Sequence, residues 1–376
     1  MLRPTWAEIS LGALARNTER IRRLAGPRKL MAVVKADAYG HGAVPMSQCL
    51  ARSGADWFGV ATVEEGMELR AAGIEQPILL LGGLYMSDPR DLAEYRLTPS
   101  VSSTARLDTY AACARERGQP IEFHLKVDTG LGRLGVPHDR LRSFLERYQE
   151  LEGLAMTGVF THLASAEDLI ACQTEEQLER FDAALKQLPW FEIEPTWVHV
   201  SNSAALLVHN AIAENLVRVG ALLYGYCNPL SFPPAREPVD LPAFEPVLEF
   251  KSRVVYLKDV PSGSPLGYAA SFYTRRPSRI ATVPVGYADG LSRGLSNRGR
   301  VILNGRTARI VGNISMDLTL VDVTDIPGVA VGDEVTLIGK QGDVRITALE
   351  IAAQLSTVPY EVLCSIGKRV PRLYVE

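Results

Sequence analysis

Residues 30–35 read LMAVVK, and how this run is read decides the fold. It is short, apolar and rich in β-branched side chains until a lysine ends it, as expected of a strand covered on both faces. Seven further runs of the same kind follow: WFGVAT (57–62), PILLLG (77–82), TPSV (98–101), IEFHLKVD (121–128), LAMTGVFTH (154–162), TWVHVS (196–201) and LVRVG (216–220). Between them lie stretches with helical spacing, such as VEEGMELRAAG, STARLDTYAACARERG, DRLRSFLERYQEL and EEQLERFDAALKQL. Eight strand-like runs with helical crossovers predict an α/β fold, a (β/α)8 barrel of the TIM type, which usually needs roughly 250 residues. A doubly wound open sheet has the same local signature, so the count of eight is the discriminating point.

The pattern stops at NPLSFPPAREPVDLP (228–242), with five prolines in fifteen residues. Proline at that density interrupts helix and ladder alike, so this stretch reads as an interdomain connection. Beyond it, EPVLEFKSRVVYLKDV, SRIATVPVGYA, RVILNGRTARIVG, DLTLVDVT and GDEVTLIGK read as strands separated by turns, and only ITALEIAAQLS (346–356) reads as helical. The sequence therefore predicts a barrel domain over 1–240 and a mainly β C-terminal domain over 241–376. Two domains also suit a chain of 376 residues, which is too long for one ordinary core.

Hydrophobic residues make up 47% of the chain, charged residues 22%, and the formal net charge is −3, which gives no electrostatic footprint for nucleic acid or an anionic membrane. The opening MLRPTWAEIS does not read as a signal peptide, and no apolar stretch approaches the ~20 residues of a membrane helix. Cytoplasmic residence is the expectation. Five cysteines (Cys49, Cys113, Cys172, Cys227, Cys364) are scattered without a CxxC pair, and six histidines show no paired spacing. That predicts thiols in a reducing compartment and no metal site.

Barrel enzymes work from the carboxyl ends of their strands, so polar residues there are the candidates. Lys35 closes the first run, Arg133 follows the fifth, and His162 closes the sixth. His199, Ser201 and Asn202 finish the seventh, and Arg218 and Gly220 the eighth. A lone lysine at a strand end is usually only solvated, and a lone histidine is usually a satisfied core residue. Their convergence on one rim, without a carboxylate pair or a metal set, suits an anionic cofactor and an anionic substrate. Desolvation among other cations would lower the pKa of Lys35, the condition for a nucleophilic amine. GLGRLG (130–135) matches a dinucleotide-binding fingerprint, but it sits at the fifth strand rather than opening a βαβ unit, and it places Arg133 where backbone should approach a pyrophosphate.

At these residues the sequence resembles the alanine racemase family. The matching stretches are AVVKADAYGHG (32–42), LKVDTGLGRLG (125–135), THLASAED (161–168), VHVSNSAALL (198–207), VRVGALLYG (217–225), GYAASF (267–272), VPVGYADG (283–290), ISMDLTLVDV (314–323) and PYEVLCSIGKRVPR (359–372). The resemblance implies an isomerase that interconverts L- and D-alanine with pyridoxal 5′-phosphate, supplies D-alanine for peptidoglycan, and works as a homodimer with a shared active site. It implies that Lys35 carries the cofactor and serves as the base on the D-face, and that Tyr268 serves the L-face from the partner subunit. A centre deprotonated on one face and reprotonated on the other needs one base per face.

By the same resemblance, Arg218 faces the pyridine nitrogen with His199 behind it. His162 connects Arg218 to Tyr268, while Tyr39, Ser203, Gly220, Ala221 and Tyr360 form the phosphate cradle. Arg133 and the Met316 amide take the substrate carboxylate, with the C-terminal domain closing the site. Lys126 matches a lysine that is carbamylated in many members, and Tyr287 an entrance residue. Ser315 departs from the family pattern, where many relatives have cysteine. A racemase of serine or of a broader range is the neighbouring expectation. A decarboxylase of basic amino acids would need a glutamate in place of Arg218, and a single-domain pyridoxal-phosphate carrier would lack the positions of Tyr268, Met316 and Tyr360.

Overall fold

The computed structural model describes residues 3–209, 212–233 and 242–376. The predicted boundary at 240/241 lies outside the described residues. The chain separates into two compact units, one of Ala15–Ala38 and Ala43–Phe244, the other of Met1–Leu14, Tyr39–Gly42 and Glu245–Glu376.

The first unit is the barrel. Its strands are Lys29–Val33, Trp57–Val60, Ile78–Leu80, Leu97–Val101, Ile121–Asp128, Leu154–Phe160, Trp197–His199 and Leu216–Val219, one overlapping each predicted run, with the first and fourth starting a residue early. They pair in parallel in chain order, and Leu216–Val219 returns to pair with Lys29–Val33. The seam between the last two strands is joined by backbone bonds from Asn215 N to Val198 O (3.0 Å) and Arg218 N to Ser201 O (2.9 Å). All four predicted helical stretches are helices, at Val63–Ala71, Thr104–Arg117, Leu141–Gln149 and Gln173–Leu185. Thr62 and Glu65 form a capping box on the first of these, and Gly118 ends the second in the left-handed conformation. Met31, Trp57, Leu79 and Leu216 form one fully packed layer. Each such side chain contributes about 1.5–3 kcal/mol on burial.

The second unit is a mainly antiparallel ten-stranded sheet. Its five predicted strand segments are all present, and ITALEIAAQLS contains the helix Ala348–Leu355. A second helix, Pro359–Cys364, departs from the reading of a single helix. Six residues are too few for a periodic signal, and only the proline at its first turn marks it. The strand Thr5–Ser10 also joins this sheet, antiparallel to Leu248–Arg253 and parallel to Arg372–Val375. No helix among the described residues is long and apolar enough to cross a membrane.

Directly after the first barrel strand the backbone does something no propensity scale favours. Ala36, Asp37, Ala38 and Tyr39 have φ of 54°, 53°, 51° and 56°, and Gly40 follows at 82°, so Lys35–Gly40 is a single left-handed helical turn. Each non-glycine residue there costs about 1–2 kcal/mol. Fixed partners sustain it. Glu65 Oε1 accepts from Ala36 N (2.7 Å) and Asp37 Oδ1 accepts from Ala43 N (2.7 Å). At its far end, Arg372 donates to Gly40 O from Nε (3.1 Å) and Nη2 (3.0 Å). A Cβ on Gly40 would stand 2.5 Å from Leu363 O, so only glycine fits. Because Ala36 is exposed and left-handed, Ala36→Gly is expected to hold or raise the unfolding free energy, by up to about 1 kcal/mol. The same change at exposed Ala112, inside the right-handed helix Thr104–Arg117, is expected to lower it by about 1 kcal/mol. Paired urea titrations check the contrast.

Candidate active site

The barrel rim is organised by Arg218. Its strand is wholly buried, and Arg218 itself is 4% exposed. Nη1 donates to His199 Nδ1 (3.0 Å) and His199 O (2.8 Å). Nη2 donates to Thr161 O (2.7 Å), Val200 O (3.0 Å) and His162 Nδ1 (3.3 Å). Every acceptor in this set is neutral. Burial lowers the Arg218 pKa to about 10, which still leaves it protonated at pH 7, and the nearby Glu214 carboxylate opposes that fall.

A guanidinium has no acceptor atom, so the two imidazoles it reaches must accept through Nδ1 and carry their protons on Nε2. His199 then donates from Nε2 to His124 Nδ1, at 2.8 Å. Burial, followed by the Arg218 charge, pushes His162 and His124 down to about 3 and His199 well below its usual value. The rim therefore holds neutral imidazoles beside a fixed cation. Phe160 supplies the apolar floor. Its ring stacks on His199 at 4.6 Å, with Arg218 and Lys126 over it at 5.1 and 5.5 Å.

Lys126 is buried on the fifth strand, and burial together with Arg133, Arg218 and Lys35 lowers its pKa to about 8. The same four cations depress His162. Lys35, Lys126, Arg133, His162, His199 and Arg218 thus form one electrostatic cluster. Ser203 opens the helix Ser203–Val208 behind the Asn202 cap, and its buried Oγ accepts from Gly220 N (3.2 Å) and Leu222 N (3.4 Å). The Ser203 hydroxyl therefore sits on the turn that Gly220 and Ala221 begin.

The remaining candidates belong to the β unit. The rings of Tyr39 and Tyr360 meet edge to face at 5.8 Å, and burial raises the Tyr39 pKa. Tyr287 N donates to Ser315 O and Ala288 N to Met316 O, each at 3.1 Å. A Cβ on Gly286 would lie 2.3 Å from both carbonyls, so a glycine lets these two turns lock together. Ser315 Oγ closes its own turn through Leu318, a job that a serine hydroxyl does well. Tyr268 is 73% exposed on a turn in which Ala269 and Ala270 have φ of 58° and 46°.

GLGRLG proves to be a loop gathered around Asp128, whose Oδ1 accepts from Gly130 N (3.0 Å) and Gly132 N (3.1 Å). It opens no helix: a short strand and a 3-10 turn intervene before Leu141. His124 is the participant that the sequence reading missed. The available signal was its period-two spacing from Lys126, which puts both on one face of the strand.

The neutral histidines give a stability prediction. The unfolded chain takes a proton on each imidazole below about pH 6.5, whereas folded His124 and His162 accept none until about pH 3. More protons bound in the unfolded state means that stability falls as pH drops through this window, by about 1.4 kcal/mol per pH unit for each such group. Urea midpoints at pH 7 and pH 5 measure the fall. Imidazole resonances of His124 or His162 titrating near pH 6.5 in the native protein would contradict it.

The chain is similar to known proteins over its whole length. Residues 9–228 match the family model for the alanine racemase N-terminal domain, and residues 247–374 that for the C-terminal domain. The chain is 42% identical over 373 residues to an alanine racemase of Halothermothrix orenii, covering 99% of this chain and 97% of the relative. The structure of alanine racemase from D-cycloserine-producing Streptomyces lavendulae superposes with a TM-score of 0.91 at 33% identity, covering 100% of this chain and 98% of that one. Alanine racemase from Bartonella henselae with covalently bound pyridoxal phosphate superposes with a TM-score of 0.88 at 31% identity, covering 99% of each chain. Matched along both parts of its sequence and in its fold, the chain belongs to the alanine racemase family.

Proposed function

We infer that this protein interconverts L- and D-alanine with pyridoxal phosphate held on Lys35. The observation that carries the reading is Arg218, a buried and protonated guanidinium answered only by neutral acceptors. Buried charge of one sign is costly until a counter-charge arrives. Lys35, Lys126, Arg133 and Arg218 together suit a phosphorylated cofactor and a carboxylate substrate.

When bound, pyridoxal phosphate draws electrons from the substrate α-carbon and so acidifies its C–H bond. Ser203, with the Gly220 and Ala221 amides and the Tyr39 and Tyr360 hydroxyls, would hold the phosphate. Arg218 would face the ring nitrogen and, because an arginine keeps its own proton, would leave that nitrogen unprotonated. Arg133 and the Met316 amide would hold the substrate carboxylate and orient its α-hydrogen. Lys35 Nζ takes or returns that hydrogen on the D-face, and Tyr268 Oη does so on the L-face. His162 would donate to the Tyr268 of a second copy through Nε2, the nitrogen that Arg218 leaves carrying a proton. Lys126 is proposed as a carbamylated lysine: a pKa near 8 keeps part of it as the free amine that reacts with carbon dioxide, and the product anion would pair with Arg133.

In this reading residues 1–240 bind the cofactor and 241–376 close the site, with Tyr287 at its entrance. A second copy of the chain supplies Tyr268, making the enzyme a homodimer. It acts in the cytoplasm, supplying D-alanine for peptidoglycan.

A chirality assay over a panel of amino acids with added pyridoxal phosphate tests the reaction. Alanine is expected as the preferred substrate; turnover of serine alone would replace the substrate assignment, and a colourless protein that borohydride cannot label at Lys35 would overturn the cofactor. Lys35→Ala is expected to abolish racemisation in both directions. Tyr268→Phe is expected to slow solvent exchange of the α-hydrogen of L-alanine by about 10²–10⁴ and that of D-alanine less. Equal losses would contradict the face assignment. Mixing the two variants under verified subunit exchange is expected to restore activity through one intact site per heterodimer.

A further inference from the structure

We propose that His124 is a positioning residue that fixes the proton arrangement of His199, and through it the aim and charge of Arg218. Three features of the barrel are built around this ring. First, His124 Nδ1 is the acceptor for His199 Nε2 at 2.8 Å, with both side chains fully buried. Second, the adjoining strand Leu154–Phe160 has Gly158 opposite His124, where a Cβ would come within 2.5 Å of the imidazole Cγ and Cδ2. Glycine inside a strand weakens it, and here it makes room for the ring. Third, the pairing of these two strands shifts register between Phe123 and His124, which re-aims the His124 side chain. Trp57 then packs on the imidazole at 5.2 Å, tilted by 47°.

The relay runs in one direction. Arg218 can only donate, so His199 must accept at Nδ1 and donate at Nε2, and His124 must accept at Nδ1. Remove the acceptor at position 124 and His199 keeps a buried N–H with no partner. That is a penalty it escapes by moving its proton to Nδ1, where it opposes Arg218. His124 Nε2, at the end of the chain, has no hydrogen-bond partner among the described residues. The useful atom of His124 is therefore Nδ1. Asparagine puts its Oδ1 at the same place, one bond beyond Cγ, so it is the variant that preserves the relay. Phenylalanine preserves the ring and removes the acceptor.

The test reads the tautomers directly. In protein labelled with ¹⁵N-histidine, His199 is expected as the Nε2–H form in the parent and in His124→Asn, and is expected to leave that form in His124→Phe. Circular dichroism checks the fold of each variant. With pyridoxal phosphate bound, His124→Phe is expected to shift the visible absorption band and lower kcat by about tenfold, a loss typical for partners of directly acting residues, with KM for alanine unchanged. His124→Asn is expected to restore both. This second arm rests on the reading that Arg218 faces the cofactor. A changed His199 tautomer with an unchanged spectrum would support the relay and overturn that reading. An unchanged His199 tautomer in His124→Phe would overturn the proposal. Should that variant fail to fold, Gly158→Ala crowds the same ring with His124 intact. It is expected to disturb the His199 tautomer, and an unaltered tautomer there would equally overturn the proposal.

Discussion

The barrel rim depends on one uncompensated guanidinium. Arg218 gathers the carbonyls of Thr161, His199 and Val200, which lie where the sixth and seventh barrel strands end, while its own backbone N–H crosses the closing seam to Ser201. One side chain thus ties three strand ends together with hydrogen bonds from a charged donor, each worth about 1.5–3 kcal/mol. Glu214, the carboxylate that acts on it, is itself engaged: it pairs with Arg28 and accepts from Val200 N and Ser201 N. The positive charge is therefore placed and held, but not neutralised. Burial, with this positive charge added to it, acts on four titratable neighbours. Lys126 loses part of its charge near neutrality, and three imidazoles lose theirs altogether. A site that keeps its imidazoles neutral around a fixed cation favours an anion that brings its own charge.

The left-handed turn after Lys35 is the second constraint, and it is of a different kind. Strained backbone persists only where its surroundings over-determine it. Here the last carbonyl of the turn, Gly40 O, is taken by Arg372, which also donates to Ile366, Gly367 and Val370 carbonyls. Tyr374 Oη donates to His41 O at 3.1 Å. The C-terminal strand therefore holds residues 40 and 41 through backbone atoms, independently of their side chains. The GKRVPR stretch, which carries none of the proposed chemistry, thus has a structural task at Gly40.

Much of this was legible in the sequence, and the limits follow from physics. Strands buried on both faces announce themselves by apolar runs, so the barrel and the residues at its strand ends could be read locally. The strand Thr5–Ser10 could not be placed, because its partners lie about 240 and 365 residues away in the chain and no local period encodes a distant register. The turn at Ala36–Tyr39 was hidden for the opposite reason: alanine normally signals a right-handed helix, and only tertiary contacts reverse its hand. His124 was hidden inside an apolar run that already explained itself as a strand. The individual roles of Lys35, Tyr268 and Arg218 came from resemblance, since spacing alone shows that cations converge and not what each one does.

Tyr268 shows why the site is hard to read from one chain. A tyrosine 73% exposed contributes little to its own fold. Yet it is presented with some effort. Ala269 and Ala270 sit in the left-handed region, Gly267 at φ 74° packs where a Cβ would be 2.8 Å from Asn313 N, and Asn313 Nδ2 donates to Tyr268 O at 3.0 Å. Strain and specific backbone contacts spent on an exposed side chain have no return in stability. They make sense if the phenol must stand at a fixed point in another environment, where a surrounding protein surface desolvates it and a neighbouring imidazole receives it. In the proposed reaction, inverting a carbon centre needs a second proton carrier opposite Lys35. In the proposed homodimer, this outward-held tyrosine on a strained, well-anchored turn is the group that the second copy receives.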